Sequence, residues 1–227
     1  MLARVIRAVI FDLDGTLVNS LAGIAASLNR VLKSNGLPTH PEITVRTFIG
    51  NGIVKLVERA VPGHFNGEQI QTLARAVSKD YATTWKQGTS PYPGVADVLL
   101  TLFKQGIKTA VFSNKPHAFC KEMTDLLFPG ISFTAVIGQR EGVPLKPDPA
   151  GALDVANSLG SPADKIAFVG DSTVDIETAH NAGMISVGCS WGYHDLPALE
   201  TTSPDHLITH ISGLVTIINE DTVANGL

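Results

Sequence analysis

Only two cysteines, Cys120 and Cys189, occur in 227 residues, and neither belongs to a metal-thiolate spacing. That argues against a disulfide-stapled secreted scaffold and for two thiols in a reducing cytosol. No cluster of basic residues stands out: 17 Lys and Arg face 21 Asp and Glu, for a formal net charge of -4. Nucleic-acid binding needs a basic patch or stripe, so no nucleic-acid partner is expected. No apolar run approaches the roughly 18 residues of a membrane span. One run starts like a signal peptide, with Arg4 and Arg7 ahead of Ala8-Val9-Ile10-Phe11. Asp12 and Asp14 cut it short and no small-residue cleavage site follows, so Met1 to Phe11 reads as a buried strand. The expectation is a cytoplasmic protein without a membrane partner. Internal repeats and low-complexity segments are also lacking.

What is present is an ordinary globular balance, 44% apolar and 17% charged, enough for a sizeable core. Short apolar runs recur at residues 8–11, 108–112, 133–137, 166–169, 185–188 and 206–208. They are near-continuous rather than alternating, which predicts strands buried on both faces of a sheet. Helical spacing fills the intervals at residues 95–103, 118–127, 150–159 and 173–182, and Gly106, Gly160 and Gly183 follow three of them as stops. Such alternation predicts an α/β fold with a Rossmann-like, doubly wound parallel sheet.

Residues 19–90 break the rhythm. Leu21, Ile24, Ala25, Leu28, Val31 and Leu32 form one helical face, and two more follow around Val54–Ala60 and Ile70–Tyr81. This stretch is expected to be an all-helical cap inserted into a catalytic core made of residues 1–18 and 91–227. Pro91-Tyr92-Pro93-Gly94 marks the return.

Chemistry-bearing residues gather where strands end, the position at which open α/β sheets bind ligands. The first strand runs into Asp12-Leu13-Asp14-Gly15-Thr16, the second into Ser113-Asn114-Lys115-Pro116, and the fourth into Gly170-Asp171-Ser172-Thr173-Val174-Asp175. Lys146 sits in a proline-restrained loop, Leu145-Lys146-Pro147-Asp148-Pro149. Each segment also has a plainer structural reading. Asp171 could cap the next helix, with Asp175 solvated; Ser113 and Asn114 could be turn residues; Asp148 could cap the helix that Pro149 opens. Together, however, Asp12, Asp14, Asp171 and Asp175 would crowd carboxylates into one crevice. Like charges at short range are unfavourable unless a cation lies between them, and an oxygen-only set beside a phosphate suits Mg²⁺.

These four segments, in this order, resemble the motifs of the haloacid dehalogenase superfamily of phosphotransferases. The helical insert after the first motif is similar to that superfamily's type-1 cap. Local sequence is most similar to its phosphoglycolate phosphatase members: Phe-Asp-Leu-Asp-Gly-Thr-Leu-Val at 11–18, Ile49-Gly50-Asn51-Gly52, Ser113-Asn114-Lys115-Pro116 and Lys146-Pro147-Asp148-Pro149. Asn19 departs from the Asp often found in that subfamily. The resemblance implies that Asp12 is the nucleophile and Asp14 the acid–base. It implies that Asp12, Asp171 and the backbone carbonyl of Asp14 hold Mg²⁺, with Asp175 orienting metal-bound water or Lys146. Ser113, Asn114, Lys146 and Thr16 would bind phosphate, and Arg46 beside Gly50, Asn51 and Gly52 would read a substrate carboxylate. The expected partner is a small phosphorylated metabolite, and the expected assembly a monomer or homodimer. Three other readings stand beside this one. A phosphonate hydrolase would use Lys55 as a Schiff base, although Asp14 argues against it; a sugar-phosphate mutase would use both Asp12 and Asp14; a phosphometabolite-binding module would bind without turnover.

Overall fold

The computed structural model describes residues 5–224. The reading of Met1 to Phe11 as one strand is thus tested from residue 5 onward, residues 1–4 lying outside the described residues; the first strand, β1, spans Ala8–Phe11. A two-residue strand, β2 (Val18–Asn19), leads into four helices: α1 (Leu21–Ser34), α2 (Glu42–Arg46), α3 (Gly52–Ala60) and α4 (Gly67–Thr84). The return strand β3 (Ser90–Pro91) pairs antiparallel with β2, so the way in and the way out of this insert form one small ribbon. Then follow α5 (Val95–Lys104), β4 (Lys108–Pro116), α6 (His117–Leu127), β5 (Ala135–Gln139), α7 (Ala150–Leu159), β6 (Ile166–Gly170), α8 (Thr173–Asn181), β7 (Ile185–Cys189), α9 (Leu196–Thr201), β8 (His206–Ile208) and α10 (Gly213–Ala224).

Six strands form one parallel sheet in the order β5-β4-β1-β6-β7-β8, a doubly wound arrangement. The apolar runs explain it. Successive strand residues face opposite sides, and all four of β1 are buried. Val9 and Phe11 join a cluster that includes Leu99, Leu102 and Met123, whereas Ala8 and Ile10 join one that includes Val155, Leu159 and Phe168. The insert has a third cluster of its own, including Leu28, Leu32, Val57 and Leu73. At about 25 cal/mol per Å² of apolar surface removed from water, such clusters supply most of the driving force for folding. Both cysteines are free and buried. No helix among the described residues is long and apolar enough to cross a membrane.

β6 and β7 each run one residue past the sequence reading, and β4 and β5 differ from it by more. β5 runs from Ala135 to Gln139 rather than from Phe133 to Ile137, and the Phe133 ring ahead of it packs edge-on against Phe128, 6.1 Å between centroids. β4 runs on to Pro116, with a register shift between Phe112 and Pro116. Ser113, Asn114 and Lys115 are therefore buried polar residues of a strand end and not a turn.

Candidate active site

β1, β4 and β6 lie side by side, so Asp12, Ser113 and Asp171 emerge together at their carboxyl ends. The Asp12 amide donates to Val169 O at 2.9 Å, which continues the β1–β6 ladder and fixes where the carboxylate begins. After it, the chain must turn at once. Gly15 adopts φ +84°, and a Cβ there would lie 2.3 Å from Asp171 Oδ2. Only glycine allows both the left-handed backbone and that approach.

Asp171 is 2% exposed and does not cap the following helix. Ser172 does: its hydroxyl accepts from the Asp175 amide at 3.3 Å, while Asp175 Oδ2 accepts from the Ser172 amide at 3.0 Å, a reciprocal capping box. Relieved of capping, Asp171 accepts from the Thr16 hydroxyl at 3.1 Å and from the Tyr193 amide at 2.6 Å. Thr16, expected at the phosphate, is turned instead toward Asp171. Asp148 Oδ1 accepts from the Ala150 amide at the start of α7, in line with the plainer reading of that residue.

Lys146 is 3% exposed and sits between two carboxylates, its Nζ 2.6 Å from Asp175 Oδ1 and 2.9 Å from Asp12 Oδ1. Burial works against its ammonium, but Asp12 and Asp175 outweigh burial and hold it above its usual value. Asp175 is thereby occupied by Lys146 and Ser172. Loss of one partner from a buried pair of this kind costs about 3–5 kcal/mol.

Carboxylate oxygens of Asp12, Asp171 and Asp175, all buried, lie within 4.8 Å of one another. Burial raises the Asp12 carboxyl to about 6 against the pull of Lys146, and Asp175 adds to the rise. Burial, then Asp175 and Asp12, likewise push Asp171 well above the carboxylate range. Asp12 Oδ1 is buried and, although close to Lys146, has no aligned hydrogen-bond donor. An oxygen-only set with crowded charge and an unsatisfied oxygen fits a hard divalent cation. The Asp14 carboxylate is outside this cluster: it accepts from Lys115 Nζ at 2.9 and 3.0 Å and from the Ser20 hydroxyl.

Gly192, like Gly15, packs closely against Asp171. A Cβ there would lie 2.1 Å from that of Asp171. Gly192→Ala must therefore displace Asp171, and divalent-metal affinity is expected to fall about 10–100-fold by titration calorimetry. Gly63→Ala, at a position with nothing within 4 Å of the added atom, is the control and should bind as the parent does.

Over the strand ends lies a pocket whose far wall comes from the insert, including Ile24, Gly50, Gly52, Ile53, Leu56 and Tyr81. Asn114 joins the two layers: its Nδ2 donates to Gly50 O at 3.0 Å and to Lys146 O at 3.2 Å, and its Oδ1 accepts from the Lys146 amide at 2.8 Å. It thus holds Lys146 and the insert's glycine loop in one place. Ser113 lines the pocket beside Asp12, whose carboxyl it helps to hold down. Asn51 faces away, accepting from Arg59 at 2.7 Å. Arg46 is not on the pocket wall. At the last turn of α2 it reaches the loop after β7, donating to Tyr193 O and, at 3.2 Å, to Asp195 Oδ1. Lys55 is exposed, paired with Glu58 at 2.7 Å, and not among the residues that line the pocket.

Sequence reasoning passed over Lys115, Tyr81, Tyr193 and His194, all on the pocket wall. Lys115 lies in the last residues of β4 and the 190–195 loop follows β7, and that position at the strand ends was the available signal. Tyr81 gave none, since it reads as one more apolar position of α4.

The match to the family model described as haloacid dehalogenase-like hydrolase covers residues 9–189. Among curated proteins, a phosphoglycolate phosphatase of Yersinia pestis is 37% identical over 222 residues, covering 95% of this chain and 94% of that one. One from Escherichia coli K12 is 34% identical, covering 92% and 91%. The crystal structure of a predicted phosphoglycolate phosphatase from Haemophilus somnus 129PT superposes with a TM-score of 0.86 at 32% identity, over 93% of this chain and 97% of that one. With all four motif segments inside the matched stretch, and relatives aligned across nearly the whole chain, this protein belongs to the haloacid dehalogenase-like hydrolase family.

Proposed function

We propose that this phosphatase is a Mg²⁺-dependent phosphate monoester hydrolase that acts on 2-phosphoglycolate through an aspartyl-phosphate on Asp12. The observation that carries the reading is the convergence of Asp12, Ser113 and Lys146 at one crevice, with Asp14 beside it and the Asp171 carboxylate crowded against Asp12.

Asp12 attacks phosphorus in line, and the ester oxygen leaves. Lys146 and Ser113 hold the transferring oxygens, where fixed donors in a dry site count for most. Asp14 gives a proton to the leaving oxygen and later takes one from the water that cleaves the aspartyl-phosphate. Asp12 and Asp171 would hold Mg²⁺, which when bound neutralises charge on the phosphoryl group. Asp175 keeps Lys146 in place. Residues 19–90 act as the cap and residues 1–18 with 91–227 as the core; cap closure keeps water from the reacting centre. Relatives bearing the phosphoglycolate phosphatase name over nearly their full length support the choice of substrate.

A panel of phosphate esters assayed with and without Mg²⁺ tests this. Phosphoglycolate is expected to give the highest kcat/KM, and a clear preference for another ester would overturn the substrate. Asp14→Asn should lower kcat by about 100- to 10,000-fold, the usual contribution of a positioned acid–base. Steady-state kinetics alongside circular dichroism checks it, and a folded variant of parental rate refutes the role.

A further inference from the structure

Lys115 is a buried lysine on a pocket wall. Its side chain is 5% exposed, its Nζ lies 3.1 Å from the Tyr81 hydroxyl, and the same ammonium stands 4.6 Å from the centre of the Tyr81 ring. Lysine is almost never buried without a partner, and Asp14 is the partner here. Burial alone would lower the Lys115 ammonium, but Asp14 and Tyr81 together hold it above its ordinary value, so it is a fixed positive charge.

Its place relative to Asp14 matters most. Asp14 must stand next to the ester oxygen to protonate it. In a phosphorylated glycolate the carboxylate carbon is two bonds from that oxygen. A group in contact with Asp14 on the pocket wall is therefore within reach of the carboxylate. An ammonium has three donors, and here they meet both Asp14 carboxylate oxygens and the Tyr81 hydroxyl; when Asp14 turns one oxygen to the ester oxygen, the donor it releases is free for a substrate carboxylate. Among the described residues, Lys115 is the one lysine or arginine on that wall. Arg46 is committed to Tyr193 and Asp195, and Arg59 to Phe48 and Asn51. His194 lines the pocket, but burial keeps its pKa below the usual value, which favours the neutral ring. The insert's side of the pocket is mainly apolar, with Ile24, Ile49, Ile53, Leu56 and Val77. In such surroundings a single charge pair is strong.

We propose that Lys115 is the specificity residue for the anionic end of the substrate, selecting short phosphate esters that carry a carboxylate two bonds from the ester oxygen. This rests on the phosphoglycolate reading above, and moves carboxylate recognition from Arg46 to the end of β4. The test compares parent and Lys115→Met on 2-phosphoglycolate and on p-nitrophenyl phosphate, which has no carboxylate. On phosphoglycolate, kcat/KM is expected to fall about 100-fold or more, chiefly through KM; on p-nitrophenyl phosphate it should fall less than about tenfold. Equal losses on both substrates would overturn the proposal, since Lys115 would then act only through Asp14. Turnover of p-nitrophenyl phosphate reports folding of the variant. Should Lys115→Met not fold, Lys115→Gln serves, because its amide keeps hydrogen bonds to Asp14 and Tyr81 without the charge. If the parent hydrolyses p-nitrophenyl phosphate but not phosphoglycolate, the substrate reading fails separately, and the comparison is repeated with the best ester of the panel. A carboxylate-bearing best ester that loses selectively in Lys115→Met sustains the proposal; an uncharged leaving group overturns it.

Discussion

Asp12→Asn is expected to abolish turnover, by at least about 10,000-fold, in a protein that still folds. The carboxylate is the one group at the end of β1 placed beside both Ser113 and Lys146, and an amide there cannot form the acyl-phosphate. Removal of a nucleophile exceeds removal of an acid–base because no later step can begin. The fold should survive for a specific reason. Lys146 retains Asp175 at 2.6 Å, so the substitution leaves no buried cation without a partner. It also removes a charge that burial and Asp175 disfavour, so metal-free Asp12→Asn should melt no lower than the metal-free parent. Phosphate release and thermal melting by circular dichroism are the two measurements. Parental activity in the folded variant would end the assignment of Asp12 as nucleophile.

Chelation should be nearly as severe. With divalent metal removed, activity is expected to drop by at least about 1,000-fold and to return with Mg²⁺, since a metal at such a site contributes several kcal/mol to transition-state charge stabilisation. A second readout is independent of turnover. Carboxylate oxygens of Asp12, Asp171 and Asp175 lie within 4.8 Å of one another, and burial and the Asp175 charge raise the first two. A cation between them relieves that repulsion, and a ligand that binds only the folded state stabilises it. Mg²⁺ should therefore raise the melting temperature of the parent, and Asp171→Asn should remove most of that rise. Full activity in metal-free buffer, verified by elemental analysis, would refute the metal requirement.

The fold was largely legible in the sequence. Buried parallel strands must be apolar on both faces, so they appear as unbroken runs, and residues 8–11, 166–169 and 206–208 gave β1, β6 and β8 almost to the residue. The insert was legible as an absence of such runs. The β2–β3 ribbon was not, because two residues carry no period. The strand ends were less clear than the strands: Ser113, Asn114 and Lys115 look like turn residues, and their burial depends on the glycine loop of the insert closing over them through Asn114.

By itself, then, the sequence determined which side chains arrive at the carboxyl edge of the sheet, because periodicity and burial are local properties of each strand. Asp12, Asp14, Ser113 and Asp171 needed nothing more. The partner each side chain takes was decided only by tertiary structure. Lys115 meets Asp14 across 101 residues of chain and Tyr81 across 34, while Arg46 meets the Tyr193 carbonyl across 147. The first pairing follows from the neighbouring places of β1 and β4 in the sheet, the other two from how the helical insert folds back on it. A charged side chain, once carried into a buried place, goes to whichever opposite charge or free acceptor the packing has set within its reach.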